Sequence, residues 1–235
     1  RYMTPMPDGD DLFYPMLIIK ARTSGGVWAL PVVRKGPYMN NIVKRVTSII
    51  NSVGSPKVII KTDQEPAMIS LQQAIRKELW EEILHIASRV KDVKEGDDVT
   101  DLVPGGPGGV VILENSPVGE SQSNGMVENA IKEVQWQIRK LKEQLEKHVQ
   151  CKIEYNSPIW PWLVQYAGQF IYTHQRFKPD GRSARQRIRA DPSIPPQPYF
   201  GEIILYKPAN TVAMPKDDPR WKAGIWVGFI DHTNE

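Results

Sequence analysis

One stripe of apolar side chains constrains this chain more than any other feature. Val127, Ile131, Val134, Ile138, Leu141 and Leu145 follow one another at alternating spacings of four and three. That spacing puts all six on one face of an α-helix running from about 125 to 148. A helix with a single apolar face has to bury it against another layer.

The rest of the sequence supplies that layer. "YPMLIIKART" (14–23) and "VWALPVV" (27–33) read as two strands joined by a Ser24-Gly25-Gly26 hairpin turn. Pro31 makes the second strand irregular or an edge strand, because proline cannot donate to a ladder. Ile42, Val46, Ile49 and Ile50 share one face of a helix over 38–53, which Gly54 ends. A strand at 57–62, a helix at about 66–84 and a strand at 110–114 follow. Residues 85–109 are polar, end in "PGGPGG", and read as an insertion. A helix rich in Trp and Tyr covers 158–175, and its spacing favours a core or multimer contact over base stacking by Trp160, Trp162, Tyr166 and Tyr172. A Pro-rich linker at 191–199 leads to a small β-module over 200–235. The fold class is therefore α/β, a mixed sheet flanked by helices, with the first unit ending near residue 190.

Composition excludes several function classes. The single Cys151 rules out a disulfide framework and a cysteine zinc finger, and the four His residues have no zinc-ligand spacing. No apolar run approaches the roughly 18 residues of a membrane span. The net charge is only +3, yet six basic residues face one acidic residue between Arg176 and Arg189. The first residue is Arg rather than Met, so a piece of a longer polypeptide is expected.

Two carboxylates stand out by position. Asp63 follows the strand at 57–62, at the carboxyl end, where open α/β sheets bind ligands. Glu128 falls in the first turn of the long helix, after Ser123 or Asn124 as cap and Gly125 as a tight turn. Glu128, Lys132, Gln135, Arg139 and Lys142 form a polar stripe beside the apolar seam, a line of cations that suits a phosphate backbone. Each feature also has a plainer reading: a capping Asp, a dipole-favoured Glu and a solvated basic face.

"KTDQEPA" followed by "SPVGESQSNGMVENAIKEV" resembles the core domain of retroelement integrases, especially of Copia-type Gag-Pol polyproteins. "HQRFKPDGRSARQRI", "FGEIILYK" and "RWKAGIWVGF" resemble the segments that follow that core, in the same order. The resemblance implies a ribonuclease H-like fold with a five-stranded mixed sheet. It implies DNA strand transfer with two Mg²⁺ (or Mn²⁺) ions held by Asp63 and Glu128, oxygen ligands that suit a hard cation. It also implies phosphate contacts by Asn124, Lys132, Arg139, Lys142, Arg182 and Arg185. The partners would be element ends, target DNA and further copies of the chain. The implied setting is a nucleus or cytoplasmic particle.

The chain departs from that pattern in one place. The family's first metal-binding Asp falls at Arg1, which would repel metal and offset Asp63 and Glu128. Two readings stay open: the third ligand is another acid among Asp8, Asp10 and Asp11, or the chain is a catalytically silent DNA-binding remnant. A ribonuclease H-type nuclease of the same fold is a third. The gap between Asp63 and Glu128 is longer than the family's, and the 85–109 insertion accounts for the excess.

Overall fold

The computed structural model describes residues 2–3, 15–37, 40–89, 110–117, 124–178, 180–190, 196–207 and 220–229. Arg1, Asp8, Asp10 and Asp11 fall outside these, as do 90–109 and 118–123.

Seven strands and five helices are present among the described residues, and those that the sequence predicts follow in the predicted order. β1 (Tyr2–Met3), β2 (Met16–Lys20) and β3 (Val27–Pro31) form an antiparallel sheet in the order β1-β2-β3. Ile18 faces Ala29 across the β2–β3 pair, and Leu17 faces Leu30. β3 is an edge strand that ends on Pro31, as its proline requires. The turn between β2 and β3 closes through Ala21 and Gly26, with Gly25 at φ +77° against the Phe177 ring.

β2 and β3 alternate side chains between two helical layers, the period-two rule of a strand buried on both faces. On one face Met16, Ile18, Val27 and Ala29 meet α3 (Gly125–Val149) and α4 (Trp160–His174). Val134, Ile138, Leu141 and Leu145 of the seam bury there, with Leu163, Val164 and Ala167 of α4. Ile131 packs at its margin, Val127 is half-buried, and Gln137 joins the seam as a buried polar residue. On the other face Leu17, Leu30 and Val32 meet Ile42, Val43 and Val46 of α1 (Asn40–Val53), and Met68, Leu71, Ile75 and Leu79 of α2 (Pro66–Arg89). Each fully buried leucine of this kind contributes about 1.5–3 kcal/mol relative to exposure. Of the four aromatics weighed in α4, Trp160, Tyr166 and Tyr172 are core residues, whereas Trp162 is exposed.

α4 crosses β3 at Gly168. A Cβ placed there would lie 2.5 Å from the backbone nitrogen of Ala29. No side chain fits between this helix and this strand.

Two expectations need correction. β4 (Lys57–Thr62) and β5 (Val110–Asn115) pair in parallel as a separate two-stranded sheet, so the five strands stand as three plus two and no five-stranded sheet forms among the described residues. Among the described residues β1 pairs with β2, through Tyr2 and Met3. The second correction is at 85–89, which continue α2 instead of opening an insertion. "HIASR" holds no helix breaker.

The tail forms a hairpin of β6 (Ile203–Tyr206) and β7 (Lys222–Ile225). Ile203 stands opposite Ile225 and Leu205 opposite Ala223, so they share one face. That face is solvent-exposed, with Ile203 at 72%, Leu205 at 66% and Ile225 at 58%.

Candidate functional site

The carboxyl ends of β4 and β5 are fixed by polar side chains. Gln72 of α2 is buried, and its Nε2 donates to the Ile60 carbonyl of β4 at 2.6 Å and to the Glu114 carbonyl of β5 at 3.2 Å. On the exposed face, Lys61 pairs with Glu114 at 2.8 Å across the two strands. Past the strand ends, the Ser116 N–H donates to the Thr62 carbonyl at 2.9 Å and continues the ladder.

Asp63 follows Thr62 directly and is half-buried. The next residue, Gln64, donates from Nε2 to the Ser116 carbonyl at 3.0 Å. The Ser116 hydroxyl donates to Asn124 Oδ1 at 2.5 Å. Asn124 stands at the amino end of α3, and Glu128 lies in that helix's first turn, half-buried. Buried Ser116 therefore joins the segment carrying Asp63 to the helix start carrying Glu128, with its N–H, carbonyl and hydroxyl all engaged.

The helix start differs from expectation in two details. Asn124 occupies the cap position but makes no side-chain cap bond, because its oxygen accepts from Ser116 instead. Ser123 lies outside the described residues. Gly125 is helical, has no positive φ, and has open space where a Cβ would sit, so the turn does not need a glycine.

The donor chemistry of Asp63 and Glu128 suits Mg²⁺, but two carboxylates are few for a pair of divalent ions. Among the described residues no group of three or more Asp, Glu, His or Cys side chains gathers to hold a metal. The described residues alone therefore do not fit a two-ion centre.

The cations on the stripe divide into two sets. Lys132 and Arg139 are exposed on α3. Lys132 also lines a groove of about 470 Å³ between α3 and α4, with Trp136, Phe170 and His174. Burial holds the His174 imidazole below its usual pKa, and Arg176 adds to the effect. Lys142 does not extend toward solvent as a lone charge. It pairs with Glu146, one turn on, and Glu146 also accepts the Ile153 N–H at 2.8 Å. This pair ties the end of α3 to the chain that follows, and it draws the Glu146 carboxyl below the usual range.

The basic segment after α4 divides the same way. Arg182 is exposed, and its N–H donates to Asp180. Asp180 receives Arg187 Nη2 at 2.6 Å, which pulls its carboxyl down to about 2. Arg187 also lies over the Phe177 ring, 4.9 Å from its centroid. Arg185 is only 2% exposed, on the inner side of the short helix α5 (Ala184–Arg189). The sequence assigns it a phosphate contact, but this helix turns Ala184, Arg185 and Gln186 inward, so Arg185 does not meet solvent. A capping box between Ser183 and Gln186 fixes that rotation.

Comparison with known proteins places the fold. No protein-family model matches the chain, and its sequence has no significant match among curated proteins. Among solved structures, a chain of the simian T-cell lymphotropic virus intasome, solved by cryoEM in complex with PP2A regulatory subunit B56 gamma, is similar over 95% of this chain. The TM-score is 0.50 at 16% sequence identity. This chain spans 66% of that one. The similarity is one of fold. No described helix is long and apolar enough to cross a membrane.

Sequence reasoning missed Gln64, Gln72 and Ser116. Each is a common polar residue in a loop or on a helix, and only the fold shows what its hydrogen bonds join.

Proposed function

We propose that this chain is an integrase core of a retroelement, Copia-type by its motifs, that binds DNA through α3 and the segment following α4. The observation that carries the reading is the Ser116 junction. It places Asp63, at the carboxyl end of a parallel strand, and Glu128, in the first turn of the long helix, on segments bonded to a shared residue. Lys132 and Arg139 supply phosphate contacts along α3, and Arg182 adds one beyond α4. Asn124 contributes a polar contact at the helix start.

Strand transfer displaces one phosphate ester by another, and bound Mg²⁺ would supply Lewis-acid stabilisation of that exchange. Asp63 and Glu128 would hold such an ion through two carboxylates, and a third ligand would come from acids outside the described residues, among Asp8, Asp10 and Asp11. A second reading rests on Arg1, which stands where the resemblance puts the first metal-binding Asp: the chain binds DNA and is catalytically silent.

The test is a DNA-binding titration together with a strand-transfer assay in Mg²⁺ and Mn²⁺, on the unmodified chain, Asp63→Asn and Glu128→Gln. Transfer that either substitution abolishes supports the enzyme. DNA binding without transfer supports the silent form. Absence of DNA binding at low salt overturns both.

A further inference from the structure

We infer that Ser116 is a positioning residue that holds the Asn124 side chain in the orientation that offers its amide N–H groups to DNA. The inference rests on the DNA-binding reading above.

Three observations carry it. The Ser116 hydroxyl donates to Asn124 Oδ1 at 2.5 Å. Ser116 is itself immobilised, since its N–H and carbonyl are engaged by Thr62 and Gln64 and its side chain is buried. Asn124 makes no cap bond, so its oxygen is not used to satisfy the helix. An asparagine amide carries one acceptor oxygen and one NH₂ with two donors. With the oxygen turned toward Ser116, the NH₂ is the group left for a ligand. A donor is what a phosphate oxygen or a base-edge acceptor requires, whereas an outward carbonyl would repel a phosphate.

The arrangement makes a specific claim about coupling. Ser116 acts on DNA only through Asn124. Removing the hydroxyl frees the amide to flip, and the helix start then offers donor and acceptor alternately. A serine with a purely structural role would lower the melting temperature and leave the DNA affinity of the folded protein unchanged.

The experiment is a double-mutant cycle read by fluorescence anisotropy on a labelled duplex at fixed salt, with the melting temperature of each variant measured in parallel. Asn124→Ala should weaken binding by about tenfold, as loss of a hydrogen bond to a charged group does, and Ser116→Ala by about twofold, since a freely flipping amide still offers its donor about half of the time. The double variant should bind no more weakly than Asn124→Ala alone. Asn124→Asp keeps an oxygen to accept from Ser116 but turns a second oxygen outward, so it should bind more weakly than Asn124→Ala. This variant tests the claim even where Ser116→Ala fails to fold. Wild-type affinity in Ser116→Ala, multiplicative losses in the double variant, or wild-type affinity in Asn124→Asp overturns the inference and leaves the DNA-binding reading standing. A wild-type chain that does not bind the duplex removes both.

Discussion

Gly168→Ala is a test of sign. In an exposed helix interior, replacing glycine by alanine stabilises a protein by roughly 1 kcal/mol, because glycine has more backbone freedom to lose on folding. Gly168 lies in the third turn of a 15-residue helix, so propensity alone forecasts a gain. The packing argues the reverse. The new Cβ would sit 2.5 Å from Ala29 N, 3.1 Å from Ala29 Cβ and 3.3 Å from Ala29 Cα. Two of these atoms are backbone, and no rotamer change relieves them. α4 or β3 must move, and β3 is held to β2 by its ladder. Overpacking of this kind costs about 1–3 kcal/mol, and a backbone clash belongs at the upper end. Set against the propensity gain, the net loss is about 2 kcal/mol, or roughly 4–8 °C in melting temperature for a chain of this size. Urea unfolding followed by circular dichroism reads this as a lower midpoint at constant slope. Gly125→Ala is the control. It has open space around the new Cβ and no positive φ, and should be neutral or stabilising by up to about 1 kcal/mol. A midpoint for Gly168→Ala at or above wild type would refute the close approach of α4 to β3.

Three further outcomes are expected. Asp180 has its pKa depressed to about 2 by Arg187, from an ordinary 3.8, so its contribution is present above the ordinary value and lost as pH falls through about 2. Acid titrations of the wild type and Asp180→Asn should therefore differ at pH 5 and converge near pH 2, and because the pair is exposed, added salt should shrink the difference. Gln72→Leu leaves the Ile60 and Glu114 carbonyls without their side-chain donor, and should cost about 1–3 kcal/mol in denaturant unfolding. Lys132→Gln and Arg139→Gln should each flatten the slope of log affinity against log salt by about 0.9 if each cation meets one phosphate, whereas Lys142→Gln and Arg185→Gln should leave the slope unchanged and lower stability instead.

The sequence made the repeating elements legible and left the junctions hidden. The α3 seam and the apolar stripe of α1 were readable because a helical period needs only local spacing, and Val134, Ile138, Leu141, Val46 and Ile42 bury as that spacing demands. The edge position of β3 followed from one proline. Gln137, Thr47 and Arg185 were not foreseeable, since their burial depends on partners from distant segments and composition assigns such residues to the surface. Lys142 looked like one more cation on a stripe. Its pairing with Glu146 is visible as an i,i+4 spacing, but the tie from Glu146 to Ile153 is not. For the site, the positions of Asp63 and Glu128 at element ends were readable. Ser116 was not, because a serine in a loop carries no pattern until the fold places Thr62, Gln64 and Asn124 around it.

On the proposed DNA-binding reading, the exposed face of the β6–β7 hairpin adds a second, opposed response to ionic strength. The proposed phosphate contacts would weaken as salt displaces them, while burial of Ile203, Leu205 and Ile225 becomes more favourable in salts such as sulfate. A concentrated sulfate buffer that releases nucleic acid from the protein is therefore the same buffer that drives hairpin faces of separate molecules together. Purification should strip nucleic acid with chloride and reserve sulfate for precipitation, and light scattering across a sulfate series would show particle size growing as bound nucleic acid is lost.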